Sequence, residues 1–188
     1  MSGNPVITTR KITEADLPLI MEWRMRPDIT KYMNTDPVLT LEGQKKWFSK
    51  ISNDNTCRYW MVEIDGELSG VVNLADIDYE KKSTSAGYYI GNLKKRDLSV
   101  ALDLECALYD YVFFVLNFDV YKSEIFALNK GVIQLHKMCG SRIDYVAENE
   151  VTKNGQSFDI VHMIITKEEW LHREECKKNL QILTQKYY

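Results

Sequence analysis

A chain of 188 residues with 45% apolar and 27% charged side chains and a formal net charge of −3 reads as one ordinary globular domain over residues 1–188, with nothing that suggests disorder. The mildly acidic balance leaves no electrostatic footprint for nucleic acid. No run approaches the ~18 apolar residues of a membrane span.

In chain order, the opening MSGNPVITTRKI has no signal-peptide core and no glycine directly after the first methionine, so neither export nor myristoylation is expected. Residues 6–9 form a short strand-like run. Thr13 then caps a helix with Asp16 three residues on, a capping-box arrangement, and Pro18 is tolerated because it falls near the helix start. Leu17, Ile20, Met21 and Trp23 give that helix an apolar side until Pro27 breaks it. A further helical turn over 28–34 carries Tyr32 and Met33, and Thr40 caps a second helix with Leu41, Trp47, Phe48 and Ile51 apolar.

CRYWMVEI and LSGVVNLADI flank Asp65-Gly66, a hairpin signal. After a charged turn at 80–83 come the strand SAGYYIG, the basic loop Lys94-Lys95-Arg96 and a helix over 98–116 so apolar that burial is expected. YKSEIFAL is a strand and VIQLHKMC a short helix ended by Gly140. RIDYVAENEV and SFDIVHMII flank an Asn154-Gly155 turn, and a terminal helix is expected over 167–186. This order implies a mixed sheet with helices on its faces. Cys57, Cys106, Cys139 and Cys176 lie far apart with no CxxC pair, which suits free thiols in the cytoplasm. His136, His162 and His172 share no ligand-like spacing, so no metal is expected.

The chemistry gathers at the start of the long helix. A helix's first turn has unpaired N–H groups and the positive end of the macrodipole, so behind three cations it can hold a phosphate. The same residues also read as a solvated basic loop with Ser99 as N-cap.

Arg96-Asp97-Leu98-Ser99-Val100-Ala101 aligns with a signature of Arg or Gln, two residues, Gly, one residue, then Gly or Ala; Ser99 stands at the first Gly. Downstream, Asn129 is followed at +4 by Ile133 and at +7 by His136, with Gly140 closing the frame and Ser141 where Phe is usual. With the element order, these segments resemble the GNAT superfamily of acyl-CoA N-acyltransferases. The resemblance implies an α/β (α+β) GNAT fold: a mixed, largely antiparallel central sheet with helices on both faces and two splayed strands, AGYYIG and YKSEIFAL. Within the superfamily, EWRMRPDITKYMNTDPVLTLEGQKKWF, GVVNLADIDY, GYYIG and EIFALNKGVIQLHK are similar to the sugar-nucleotide N-acetyltransferases of pseudaminic acid biosynthesis, over residues 12–145.

That likeness implies a cytoplasmic enzyme that uses acetyl-CoA and no metal. It would acetylate the 4-amino group of a UDP-linked 4-amino-4,6-dideoxy sugar by direct attack of the amine on the thioester. The alternatives are a protein N-terminus or small amine as acceptor, or a binding module that keeps the fold without turnover, for which Asp97 and Ser99 are the supporting departures. No nucleic acid or membrane partner is expected, and edge strands permit a homodimer.

Residue by residue, the resemblance assigns Tyr89, Ile90, Arg96, Ser99, Val100, Ala101 and Asn129 to the cofactor, although Asn129 also reads as a helix cap. His136 would protonate the leaving thiolate, or is a structural helical histidine. Glu124 would take the amine proton, or is a solvated strand carboxylate. Strand alternation puts Glu124 and Phe126 on one face and Ser123, Ile125 and Ala127 on the other. Tyr32, Met33, Trp47 and Tyr88 would line the acceptor pocket, and Trp47 reads equally as core. Tyr88 and Tyr89 point to opposite faces, one toward the cleft and one against a helix.

Overall fold

The computed structural model describes residues 5–184; the readings that concern residues 1–4 and 185–188 lie outside the described residues. All seven expected strands form: β1 (Ile7–Lys11), β2 (Arg58–Ile64), β3 (Glu67–Asp78), β4 (Ser83–Ile90), β5 (Val120–Phe126), β6 (Arg142–Lys153) and β7 (Gln156–Thr166). They join one sheet in the order β1-β2-β3-β4-β5-β7-β6. Both two-residue turns have positive φ at each central residue, Asp65 at 52°, Gly66 at 79°, Asn154 at 50° and Gly155 at 77°. That geometry matches the twist of the flanking strands, and Asp-Gly and Asn-Gly adopt it at least cost.

Neighbouring strands run antiparallel except β4 and β5. The parallel pair is short: Ser83, Thr84 and Ser85 lie against Val120, Tyr121 and Lys122, after which β4 continues to Ile90 and β5 to Phe126 without pairing. The sheet therefore opens into a wedge.

The helices are α1 (Leu17–Arg24), α2 (Pro27–Thr30), α3 (Leu41–Ser52), α4 (Leu98–Asp110), α5 (Lys130–Met138), α6 (Lys167–Leu171) and α7 (Leu180–Thr184). The Thr13 amide donates to Asp16 Oδ2 at 2.8 Å, and Arg10 forks both Asp16 oxygens at 2.7 Å. Thr40 Oγ1 accepts from the Gly43 amide at 3.2 Å. Gly140, at φ 102°, closes α5.

Three expectations change in detail. The turn expected over 28–34 starts on Pro27 itself, whose fixed φ suits a first helical position, and stops at Thr30; Tyr32 and Met33 fall just beyond it. The long helix leaves α geometry after Asp110 and widens into a π turn, Tyr111–Val115. The terminal helix expected over 167–186 is broken into α6 and α7. Its break has a cause: the buried Asp110 carboxylate accepts from the Lys177 and Asn179 amides at 2.7 and 3.0 Å, and Lys177 sits at φ 67°.

Side-chain alternation sends Trp60, Val62, Val72 and Tyr121 to a core under α4, with Leu104, Tyr109, Phe113 and Trp170. Met61 and Val71 point the other way, to Leu17, Ile20 and Trp23 of α1. Ile125, Val161 and Met163 meet Ile133 of α5. Helices thus cover both faces, and the wedge is the place where the two faces communicate.

Candidate active site

The wedge opens into a cavity of about 720 Å³. Nine residues singled out from the sequence line it: Tyr32, Met33, Trp47, Tyr88, Tyr89, Ala101, Glu124, Asn129 and His136. They come from six separate chain segments, which only the splayed strands could bring together.

On one side, Trp47 meets Tyr59 edge-on, ring centroids 5.2 Å apart, so it is at once cavity wall and core packing. The Arg24 guanidinium points at the Met33 sulfur, a weak acceptor. Tyr88 and Tyr89 face opposite sides as alternation requires, and both line the cavity rather than only one. The Tyr88 hydroxyl donates to the Ala101 carbonyl at 3.0 Å, whereas the Tyr89 hydroxyl is buried with no hydrogen-bond partner among the described residues. Burial pushes both phenols upward, so they stay neutral.

On the other side, His136 is buried, its Nδ1 3.0 Å from Glu105 Oε1 and 3.3 Å from Ser123 Oγ. Glu105, on α4, has no solvent exposure, and among the described residues neither of its oxygens receives a well-aligned hydrogen bond, although His136 and the Tyr88 and Tyr121 hydroxyls approach it. Sequence reading missed Glu105. The signal was an ionisable side chain inside an apolar helical run, Leu104 to Leu108, where only a partner or a purpose keeps one.

Glu124 projects from the face opposite Ser123 and is well exposed. It stands between the main cavity and an adjoining one of about 310 Å³, with its Oε1 3.9 Å from His162 Nδ1. Asn129 caps α5 by accepting from the Val132 amide at 3.4 Å while it lines the cavity, so the capping geometry and the cavity position coexist.

Ile90, Arg96, Ser99 and Val100 lie outside the lining. Arg96 donates to the Ile90 carbonyl at 2.8 Å and pairs with Asp28 at 2.6 Å. Asp97, not Ser99, is the N-cap of α4, because the Ser99 amide and hydroxyl both donate to Asp97 Oδ1, at 2.8 and 2.6 Å. The Ser99 hydroxyl is thus engaged by a carboxylate two residues back. The Val100 side chain is buried in the core under α4, which leaves its backbone as the part that can meet a ligand.

Residues 7–142 match the profile of the acetyltransferase (GNAT) domain family. The chain belongs to the GNAT acetyltransferases. Among curated relatives, this GNAT chain is similar to Acetyltransferase PseH of Campylobacter jejuni, 24% identical over 168 residues that cover 89% of this chain and 92% of the relative. A PseH from a second strain of that species is 27% identical over 128 residues, covering 68% and 77%. Among solved structures, spermidine N-acetyltransferase from Vibrio cholerae in complex with CoA and spermine superposes with a TM-score of 0.82 at 24% identity, covering 88% of this chain and 98% of that one. At that identity the likeness speaks for the fold.

This GNAT protein is accordingly an acyl-CoA-dependent N-acetyltransferase with acetyl-CoA as donor. The wedge fits that donor. Beyond Ser85, β4 presents an edge that β5 does not pair, open to an extended chain, and it leads into Lys94, Lys95, Arg96 and the start of α4.

Proposed function

We propose that this enzyme moves the acetyl group of acetyl-CoA to the 4-amino group of a UDP-linked 4-amino-4,6-dideoxy sugar, as in pseudaminic-acid-type biosynthesis. The observation that carries the reading is a likeness to PseH over 89% of the chain, joined to an aromatic-walled cavity beside the wedge. In this reading Tyr32, Met33 and Trp47 hold the nucleobase and sugar, which planar rings and a pliable thioether do well, and Tyr88 closes the opposite wall. Tyr89, Ile90 and Asn129 hold the pantetheine arm, and Arg96 with the α4 residues Ser99, Val100 and Ala101 holds the diphosphate.

Acetyl-CoA supplies the acyl group activated as a thioester. Glu124, directly or through a water, takes the proton that the amine must lose before it attacks. His136 gives a proton to the departing sulfur, so the new acetyl–nitrogen bond replaces the acetyl–sulfur bond with charge balanced.

A second reading, acetylation of a small polyamine, is favoured by one feature: in the adjoining 310 Å³ cavity Asp76, Asp78, Glu124 and Asp144 outnumber Lys81 and Lys122, an acidic balance that suits a cation even with Lys81 paired to Asp78. Thiol release from acetyl-CoA, measured with a UDP-4-amino-4,6-dideoxyhexose, with spermidine and with an N-terminal peptide, decides between them. Release that depends on the nucleotide sugar is expected; release with spermidine alone would overturn the sugar reading and leave the acetyltransferase intact.

A further inference from the structure

We infer that Glu105 is the positioning residue of His136, forming with it a buried carboxylate–imidazole pair that aims one ring nitrogen into the wedge. The inference rests on His136 as the proton donor to the departing sulfur, and it assigns a role to a residue that role does not by itself require.

Burying a carboxylate without aligned hydrogen bonds is costly, and an apolar residue in its place would pack α4 at no such cost. Glu105 has no exposure and, among the described residues, no aligned partner, yet it lines the cavity. Its flanks, Leu104, Cys106 and Ala107, are the residues that packing alone selects. The nitrogen that approaches it is His136 Nδ1, at 3.0 Å. The negative charge of a carboxylate at that distance favours the ring proton on Nδ1 without needing an aligned hydrogen bond. Nε2 is then the nitrogen left for the cavity that His136 lines.

In the protonated pair, Nδ1–H faces Glu105 and Nε2–H faces the wedge, and the two opposite charges cancel inside the core. When Nε2 gives its proton to the sulfur, His136 is left neutral with its remaining proton on Nδ1. Solvent then returns a proton to Nε2. Ser123 Oγ, 3.3 Å from the same Nδ1, steadies the ring from β5. The other titratable groups facing the carboxylate are Tyr88 from β4, Tyr121 from β5, Tyr109 from α4 itself and Cys139 after α5. Burial pushes the three phenols upward, and the contact with Cys106, then burial, pushes the Cys139 thiol upward, so none of them supplies a competing charge.

The test compares the wild-type enzyme with Glu105→Gln and His136→Ala, using thiol release with a UDP-4-amino-4,6-dideoxyhexose and with spermidine, and imidazole ¹⁵N shifts assigned through His136→Ala. Glu105→Gln keeps the volume and removes the charge. The expected result is a kcat roughly ten- to a hundredfold lower, below the full contribution of general acid catalysis, with KM for acetyl-CoA and acceptor unchanged. The His136 shifts should move from a protonated Nδ1 to mixed tautomers. Unchanged kcat and shifts in Glu105→Gln, with His136→Ala impaired, would overturn the pairing and leave His136 as donor. Full turnover in both variants would remove His136 itself. Should Glu105→Gln fail to fold, the wild-type spectrum still decides, because an unprotonated Nδ1 at a pH of full activity refutes the pair.

Discussion

Helix α4 buries two carboxylates completely, Glu105 and Asp110, and the protein treats them in opposite ways. Asp110 accepts from the Trp170 indole at 2.9 Å and from the Lys177 and Asn179 amides at 2.7 and 3.0 Å. Every donor is local to the C-terminal segment, so the carboxylate staples that segment to the core. Glu105, five residues earlier in the sequence, has a histidine at close range and no aligned bond among the described residues. A buried charge with its lone pairs filled is structure; one left unfilled beside a cavity is held ready for something else. The middle and the C-terminal end of one helix thus hold their carboxylates in different ways.

Substitution at Asp110 should break that contrast most visibly. Asp110→Ala removes the acceptor for three donors, and leaving such groups unpaired should cost about 3 kcal/mol. For a chain of this size that is a fall of about 6–12 °C in melting temperature, read by calorimetry. Turnover by the molecules still folded should be unaffected. A loss of kcat at temperatures where the variant remains folded would move Asp110 from the structural side to the chemical one.

The cofactor loop comes next. Arg96 is engaged with Asp28 and the Ile90 carbonyl, so part of any gain from diphosphate is offset by letting those partners go. Arg96→Ala should still weaken acetyl-CoA binding, roughly tenfold, the loss of one charge-assisted contact. Asp97→Asn should act in the other direction and tighten it, because a neutral cap keeps the helix start while removing a negative charge from the phosphate site. Titration calorimetry with acetyl-CoA reads both. Equal affinities in the two variants would mean that the diphosphate lies elsewhere.

Glu105→Gln should show a smaller effect on stability than Asp110→Ala. Removing one partner of the buried pair is destabilising, but His136 can lose its proton and become neutral, so the melting temperature should fall by only about 2–4 °C, equivalent to about 1 kcal/mol. A higher melting temperature would mean that Glu105 is an unpaired buried charge and not the partner of His136.

These residues also mark how far the sequence could be read. The Asp65-Gly66 and Asn154-Gly155 turns and the caps at Thr13 and Thr40 were legible because each depends on residues near one another in the chain, whereas the splayed strands, which lie far apart in it, came only from the family resemblance. The Glu105–His136 pair was not legible, since its members stand on different helices and only packing shows that they meet. Ser141, standing where Phe is usual, is a second case: its hydroxyl lies 2.7 Å from the Tyr109 hydroxyl in the core, a bond with no local signature. The terminal helix was misread for the same reason. Its residues favour one continuous helix locally, and the interrupting acceptor, Asp110, comes from elsewhere in the chain.

Asp36 gives the smallest effect and places a third carboxylate between the other two, since it is well hydrogen-bonded but exposed. Lys153 and Asn154, at the tip of the β6–β7 hairpin, donate to its two oxygens at 2.8 and 2.7 Å, and Lys153 also donates to the Thr30 carbonyl. The contact ties the hairpin to the segment that carries Tyr32, Met33 and Thr35 of the cavity wall. The Lys153 hydrogen bond, helped by Thr30 and Asn154, holds the Asp36 carboxyl down at about 2, below its ordinary value of 3.8. A depressed folded-state value means that this group's contribution is fully present above about 3.8 and is lost as the pH falls toward 2. The clamp should therefore stay closed throughout the pH range in which the enzyme works. Its carboxyl ¹³C resonance should titrate near 2, and Asp36→Asn should raise KM for the acceptor with kcat and acetyl-CoA affinity unchanged. A titration near 3.8 would show that the hairpin is not held to this wall in solution, and the aromatic side of the cavity would then owe its shape to α3 rather than to the clamp.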